Sequence, residues 1–441
     1  MRVRGLLIAA AILVLLAGGV WWSNRAKKGE EGKPRPDEPP KILSVPEDQI
    51  RQIEIRQKGG ETTLVRKSDA GQWEITAPKP LRIDSDAISS MTSTLSSLSS
   101  DRLIEEKAGD LAVYGLNAPA LELIITRKDG KSDKLLIGDE TPTGGSFYAR
   151  LEGDPRVFTI ASWNKSSLDK NWKDLRDRRL LTFDQDKLIR VELTAKGQSI
   201  EFGKNAQNEW QIVRPGPLRA DSFQVEELIR KLRDAKMDTS VSEEEAKKAA
   251  AAFAKAQAVA VARVTDSGGS QELQVRKDKD KNYYAKSSAV EGVHKIPTDV
   301  GDGLDKGLDD FRNKKLFDFG WSDPSKIEIR EGARLVVYQK SGEKWMSGSK
   351  EMDSASVQTL IDKLRDLSSI KFLEKGGGAP LMEATVTSNE GKRVEKVTIS
   401  KQGASYFAVR QNEPTVYELD GKVVEELQKA VGGVKEAEKK K

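Results

Sequence analysis

The chain of 441 residues has no cysteine and a single histidine. The first absence removes disulfides, thiol nucleophiles and thiolate metal sites together. The second leaves no multi-histidine metal site, although carboxylate sites stay open. It also makes His294 the only imidazole available as a general base. Long runs of one charge are missing as well. Lys plus Arg is 74 and Asp plus Glu is 69, interspersed, and the longest basic run is Lys439-Lys440-Lys441 at the end. A nucleic-acid surface concentrates its basic charge on one stripe, so no nucleic-acid partner is expected. No phosphate-cradling Gly-rich loop with its lysine occurs, and no cofactor is expected.

Long apolar stretches are also scarce, with one exception. Residues 5–22 contain no charge and end in Trp21-Trp22, with Arg2 and Arg4 before them and Arg25, Lys27 and Lys28 after. As a helix this segment would span about 27 Å, close to the hydrocarbon thickness of a bilayer, with the tryptophans at its interface. The competing reading is a cleaved signal peptide, for which Ala17-Gly18-Gly19 is a loose cleavage site, but the apolar run continues past it. The expectation is an uncleaved transmembrane helix contacting the lipid bilayer through residues 5–22. The short N-terminus would stay inside and the body outside the cytoplasmic membrane. Residues 29–45, rich in Pro, Gly and charge, read as a spacer.

What is abundant is repetition. Trp73, Trp210 and Trp345 lie 137 and then 135 residues apart. Before each stands an alternating segment with a central acid: Ile53-Glu54-Ile55, Val191-Glu192-Leu193 and Ile327-Glu328-Ile329. After each comes an aspartate (Asp84, Asp221, Asp353) suited to cap a helix whose apolar residues fall on one stripe. Units of this length can close their own cores. The expected organisation is an anchor with its flanks at 1–28, a linker at 29–45, repeat domains at 46–183, 184–320 and 321–433, and a charged tail at 434–441. The expected class is α+β, each domain made of short antiparallel strands with one or two helices.

Repetition sorts the residues: what recurs is architecture, and what is private to one copy is a candidate for function. His294 aligns with Phe158 and Tyr417, so its slot accepts any flat ring and reads as packing. Asp278-Lys279-Asp280-Lys281-Asn282 begins like a calcium loop but has Tyr283 where the turn needs Gly. Ser167-Leu168-Asp169-Lys170 and Ser347-Gly348-Ser349-Lys350 match S-x-x-K at a frequency chance supplies. The recurring tryptophans read as core anchors. Trp163, Trp172 and Trp321 do not recur and are better placed for a surface role. The most distinctive private segment is residues 137–150, where Thr141, Pro142, Gly144, Gly145 and Tyr148 form a Pro/Gly turn, a place for a partner to be recognised.

Several of these segments are similar to one family. The Trp-x-Ile-x-x-Pro pattern from Trp73 to Pro78, Tyr114-Gly115-Leu116 followed by Ala118-Pro119, the segment 137–149 and the charged segment 175–181 resemble the domain-of-unknown-function family numbered 4340. The match is fullest over about residues 70–240, and later Phe253-Ala254-Lys255 replaces Tyr-Gly-Leu. The resemblance implies a bacterial protein with one N-terminal membrane segment and no catalytic residue to carry over. It also implies a partner class, the permease and ATPase subunits of ABC transporters resembling the gliding-motility type. The resulting expectation is a non-enzymatic, membrane-anchored envelope protein that binds or scaffolds beside an ABC-type transport system. The alternatives are a cell-wall polysaccharide-binding module and a carboxylate-based hydrolase.

Overall fold

A computed structural model describes residues 40–206, 208–320 and 324–438. The alternating segments found in the sequence become strands whose apolar side chains are fully enclosed. Ile53, Ile55, Val191, Leu193, Ile327 and Ile329 are at most 1% exposed. Period-two alternation places one set of side chains inward and its neighbours on the opposite face. The recurring acids Glu54, Glu192 and Glu328 therefore lie on the outer face. There they join ladders of ion pairs, Glu54 with Arg56, Glu192 with Arg263 and Glu328 with Lys326.

Each copy builds one antiparallel sheet from two meanders. In the first copy the leading meander is Ile50–Gln57, Thr63–Lys67, Trp73–Ala77 and Leu81–Arg82. The trailing meander is Leu121–Arg127, Ser132–Glu140, Ser146–Leu151 and Val157–Ala161. Their first strands pair with each other, Ile53 opposite Ile125, so the two meanders become one sheet. A ninth strand, Arg102–Glu105, borders Val157–Ala161. The third copy repeats the arrangement, with Ser369–Leu373 as its ninth strand beside Val416–Leu419. The second copy has eight strands, and only a single bond from the Asp238 amide to the Lys295 carbonyl marks the ninth position.

Between the meanders the capping aspartates hold the expected helices. Asp84 accepts from the amides of Asp86 and Ala87 at the start of Ser85–Ser96. Asp221 accepts from Gln224 before Ser222–Arg233, and Asp353 from Ser356 before Ser354–Asp366. Their apolar stripes (Ile88, Met91 and Leu95; Val225, Leu228 and Leu232; Val357, Leu360 and Leu364) are buried in the three separate cores. Trp210 and Trp345 are buried in the second and third cores, and Trp73 packs half-buried against the first.

Two expectations are corrected. The α+β class with short strands gives way to a mostly antiparallel β architecture, 43% strand and 24% helix, in four sheets. Strands reach ten residues (Gln257–Asp266, Ala379–Ser388 and Arg393–Gln402), and the second copy alone carries four helices. The cause is the charged outer face, which breaks up a strand's hydrophobic signal without interrupting the strand. The N-terminal transmembrane helix is the second correction. No helix among the described residues is long and apolar enough to cross a membrane, and residues 5–22 lie outside them.

The chain divides into two compact units, one up to Arg178 and the other Arg179–Lys441. The first unit holds the first large sheet and a two-stranded one, Lys41–Leu43 with Leu98–Ser99. The second unit holds the second and third sheets.

Candidate functional site

Two places gather the features that could serve function, one in each unit. In the first unit the strands Ser132–Glu140 and Ser146–Leu151 form a hairpin whose turn is the private segment 141–145. The Thr141 amide donates to the Ser146 carbonyl at 2.9 Å, and the Gly144 amide to the Thr141 carbonyl at 2.9 Å. Gly144 and Gly145 adopt φ of +74° and +80°, a left-handed pair that side chains other than glycine resist. Residues 142–145 are exposed. The Ser162 amide donates to the Gly145 carbonyl at 3.0 Å, which ties the turn to the first residue of the helix Ser162–Leu168. The next residue, Trp163, is 68% exposed.

The hairpin rests on a buttress. The Tyr114 ring meets the Tyr148 ring edge-on, centroids 4.9 Å apart. The Tyr114 carbonyl lies where a Cβ on Gly138 would stand, 2.1 Å from it. Gly115, at φ +66°, leaves room in the same way for the Asp139 carboxylate. The Tyr114-Gly115-Leu116 motif and Gly138 are therefore two halves of one close backbone approach. In the second copy Arg276 takes the place of Gly138 and stacks on Phe253, 4.6 Å from ring to guanidinium.

In the second unit a cavity of about 410 Å³ opens between the second and third sheets, lined among others by Trp210, Arg219, Arg312, Asp318, Phe372 and Tyr417. Arg219 Nη1 donates to Asp318 Oδ2 at 2.7 Å. Its Nη2 donates to the Lys315 carbonyl at 2.6 Å and to the Tyr417 hydroxyl at 3.1 Å. Nε lies 3.0 Å from Glu413 Oε1, off line for a hydrogen bond. The Tyr417 hydroxyl donates to Glu413 Oε2 at 2.7 Å. Arg410 binds Glu413 at 2.7 Å and Glu395 at 3.2 Å, and both oxygens of Glu395 accept from the Asp318 amide. Arg393 joins Glu209 to the Asp318 carbonyl, 2.8 Å to each.

Burial alone would lower the Arg219 guanidinium pKa, but the opposing groups Asp318, Tyr417 and Glu413 outweigh it and raise it. Burial pushes the Glu395 carboxyl up, against the pull of the Asp318 amide and Arg410. A raised acid beside a cleft is what a hydrolase needs. Glu395, however, is 6% exposed and does not line the cavity. The acids that do line it (Glu209, Asp318 and Glu413) are each clamped by an arginine. The arrangement fastens two sheets together.

The remaining sequence candidates fall as follows. His294 lies half-exposed on the border strand Val293–Ile296, with Nε2 3.0 Å from the Glu291 carbonyl, while Phe158 and Tyr417 in the same slot are buried. Trp172 packs against the first core and donates to Glu61 at 3.0 Å. Trp321 lies outside the described residues. Among the described residues no group of three His, Asp or Glu is placed to hold a metal ion. Asp278 gathers the amides of Asp280 and Asn282 into a self-contained turn. Sequence reasoning missed the seam between the sheets. A signal was present in Glu395, which occupies the buried phase of its strand beside Val397 and Ile399.

No curated protein matches the sequence. A family model matches twice, over residues 73–209 and 210–387, and each match opens on a recurring tryptophan and closes inside a later sheet. With most of its length covered in this way, the chain belongs to the family described as "Domain of unknown function (DUF4340)".

Proposed function

We propose that the protein is a non-enzymatic binding or scaffolding accessory of an ABC-type transport system. Residues 5–22 associate it with the cytoplasmic membrane, and its body stands on the extracytoplasmic side. The observation that carries the binding role is the first sheet's hairpin turn. It is private to one copy, exposed, free of titratable groups and tied through Gly145 to Ser162, next to the outward-facing Trp163. A rigid projecting turn with an aromatic beside it offers recognition and no chemistry. The transport role rests on what the family resemblance implies about partners. The clamped acids of the second unit favour binding over hydrolysis.

The test is a cross-linked pull-down of the full-length protein from its own membranes, read by mass spectrometry, with Trp163→Ala and Pro142→Ala run in parallel. Recovery of permease and ATPase subunits that falls in both variants supports the reading. Recovery of no transporter subunit removes the transport role. A second reading, a wall-polysaccharide module, is favoured by Trp163, whose open ring could stack on a sugar face. Retention on purified cell wall, lost in Trp163→Ala, would establish it instead.

A further inference from the structure

The chain enters each of the three sheets through the same short segment. A cation, two apolar residues, a spacer and a third apolar residue recur as Lys41-Ile42-Leu43-Ser44-Val45, Arg179-Leu180-Leu181-Thr182-Phe183 and Lys315-Leu316-Phe317-Asp318-Phe319. The last apolar residue stands eight positions ahead of Ile53, Val191 and Ile327 in turn. Each segment runs beside the residues that follow the capped helix. Lys41 pairs with Ser99, Arg179 with Lys236 and Lys315 with Ser368. The three apolar side chains of each segment are buried in the core of the sheet that follows, which they plug.

The plugs differ in what holds them. The pairing registers make Leu151, Ser287 and Arg410 equivalent, and with them Asp133, Gln271 and Glu395. In the second sheet Ser287 Oγ donates to the Leu180 carbonyl, and Gln271 accepts from the Thr182 amide at 2.8 Å. In the third Arg410 Nη1 donates to the Leu316 carbonyl at 2.6 Å, and Glu395 accepts from the Asp318 amide at 2.8 Å. In the first, Leu151 has no donor to offer the Ile42 carbonyl, and Asp133 is turned to Arg127, accepting from its Nε at 2.9 Å. Among the described residues the first plug has one side-chain bond, from Ser100 Oγ to the Pro40 carbonyl at 2.9 Å. Its apolar set is also the smallest of the three. Ile42 and Leu43 are 7% and 4% exposed, where Leu180, Leu181, Leu316 and Phe317 are at most 1%. Less buried apolar surface and fewer satisfied polar groups both lower the cost of leaving. One further backbone pair, Leu43 opposite Leu98, works the other way, across a bulge.

We propose that residues 40–45 are a releasable plug. They leave their slot while the sheet behind them stays folded, whereas residues 179–183 and 315–319 stay seated. Opening of this kind, short of global unfolding, is drawn from the segments with the fewest buried contacts and bonds. Release uncovers the apolar slot of Ile42, Leu43 and Val45 and the backbone of Leu98–Ser99, at the point where the chain enters the first sheet. A pull on the chain ahead of the plug is thereby passed to the first core and to no other. This inference does not depend on the transport role, which concerns the turn at residues 141–145.

The chain has no cysteine, so one introduced thiol reports on one place. Leu43→Cys and Leu181→Cys are the same change at equivalent positions, and Leu123→Cys, fully buried in the first sheet, reports on opening of the whole first unit. In the full-length protein under native conditions, a maleimide should modify Leu43→Cys at least tenfold faster than either of the others. A cysteine in the slot also loosens the plug it reports on, so hydrogen exchange of the unsubstituted protein, at single-residue resolution, is the second measurement. The Ser100 amide donates to the Pro40 carbonyl at 3.0 Å and the Ser369 amide to the Lys314 carbonyl at 2.8 Å, each within a Leu-Ser-Ser sequence. Ser100 should exchange at least tenfold faster than Ser369 and than Leu123. Equal exchange at Ser100 and Ser369 overturns the proposal. So does exchange at Ser100 no faster than at Leu123, which would make the opening that of the whole unit. Modification of Leu43→Cys no faster than of Leu181→Cys overturns it as well.

Discussion

The hairpin turn of the first sheet and the seam between the second and third sheets are opposites in charge and in exposure. The seam brings together Arg219, Arg393 and Arg410 with Asp318, Glu395 and Glu413, and nearly every bond they make is to one another or to a nearby carbonyl or amide. The turn has two hydroxyls, a proline and two glycines, and it faces solvent. A survey for reactive groups would stop at the seam. The comparison shows why that would mislead: charges that satisfy each other are cohesion, and the segment with the least chemistry is the one left open to a partner.

The comparison breaks first at Arg219. Arg219→Ala removes one of the two arginines that hold Asp318 and Glu413 and leaves only Arg410 on both. Breaking a largely buried pair on one side costs up to about 3 kcal/mol. Hydrogen exchange should quicken across residues 179–441 and leave the first unit unchanged. Unaltered exchange in the second unit would mean the seam is ornamental. Gly138→Ala is the counterpart on the turn's side, because the new methyl collides with the Tyr114 carbonyl. A loss of about 1–3 kcal/mol is expected from such overpacking, confined to the first unit, together with loss of partner capture.

Glu395 sharpens the same contrast through pH. Its burial-raised pKa means the folded protein holds the proton more tightly than the unfolded chain does. The stability it contributes is present at low pH and is lost as pH climbs from the ordinary carboxylate range through the raised value. The second copy places Gln271 at the equivalent site, where it accepts from the Thr182 amide at 2.8 Å. Glu395→Gln should accordingly flatten this part of the pH profile and raise stability at pH 7, by less than about 1 kcal/mol. A melting midpoint that falls at pH 7 would show the ionised form to be the one the seam needs. The smallest effect belongs to Trp163→Ala, which should change stability by less than about 0.5 kcal/mol while reducing capture of the partner. A large destabilisation there would make the residue a packing element.

Much of the scaffold was legible because it depends on local rules. The alternation around Glu54, Glu192 and Glu328, the capping aspartates and the helical stripes need only neighbouring residues to be recognised. The architecture was misjudged where ion pairs extend the strands, since Arg127 and Asp133 look like the loop between two short strands until they are seen bonded to each other across the hairpin. The private turn was found by comparing copies, but its link to Trp163 runs through a backbone bond that no spacing encodes. The seam was invisible for the same reason: Arg219 meets Tyr417 across a sequence separation of 198. The helix Glu243–Lys255 was not read from the sequence, although the capping box of Ser242 and Glu245 is a local signal, and its seat beside Arg276 and Lys295 depends on contacts farther along the chain.

The pairing of Ile53 with Ile125 also sets a timetable for the growing chain. During synthesis the leading meander emerges first and must wait, with one side of Ile50–Gln57 unpaired, until Leu121–Arg127 follows it out. An unpaired strand flank of that length is a site for pairing with a neighbouring nascent chain, and closing such distant strands is slow. Each of the three sheets passes through this open interval in turn. A fragment cut at residues 73–209 would never leave it, because Leu121–Arg127 would be present and Ile50–Gln57 would not.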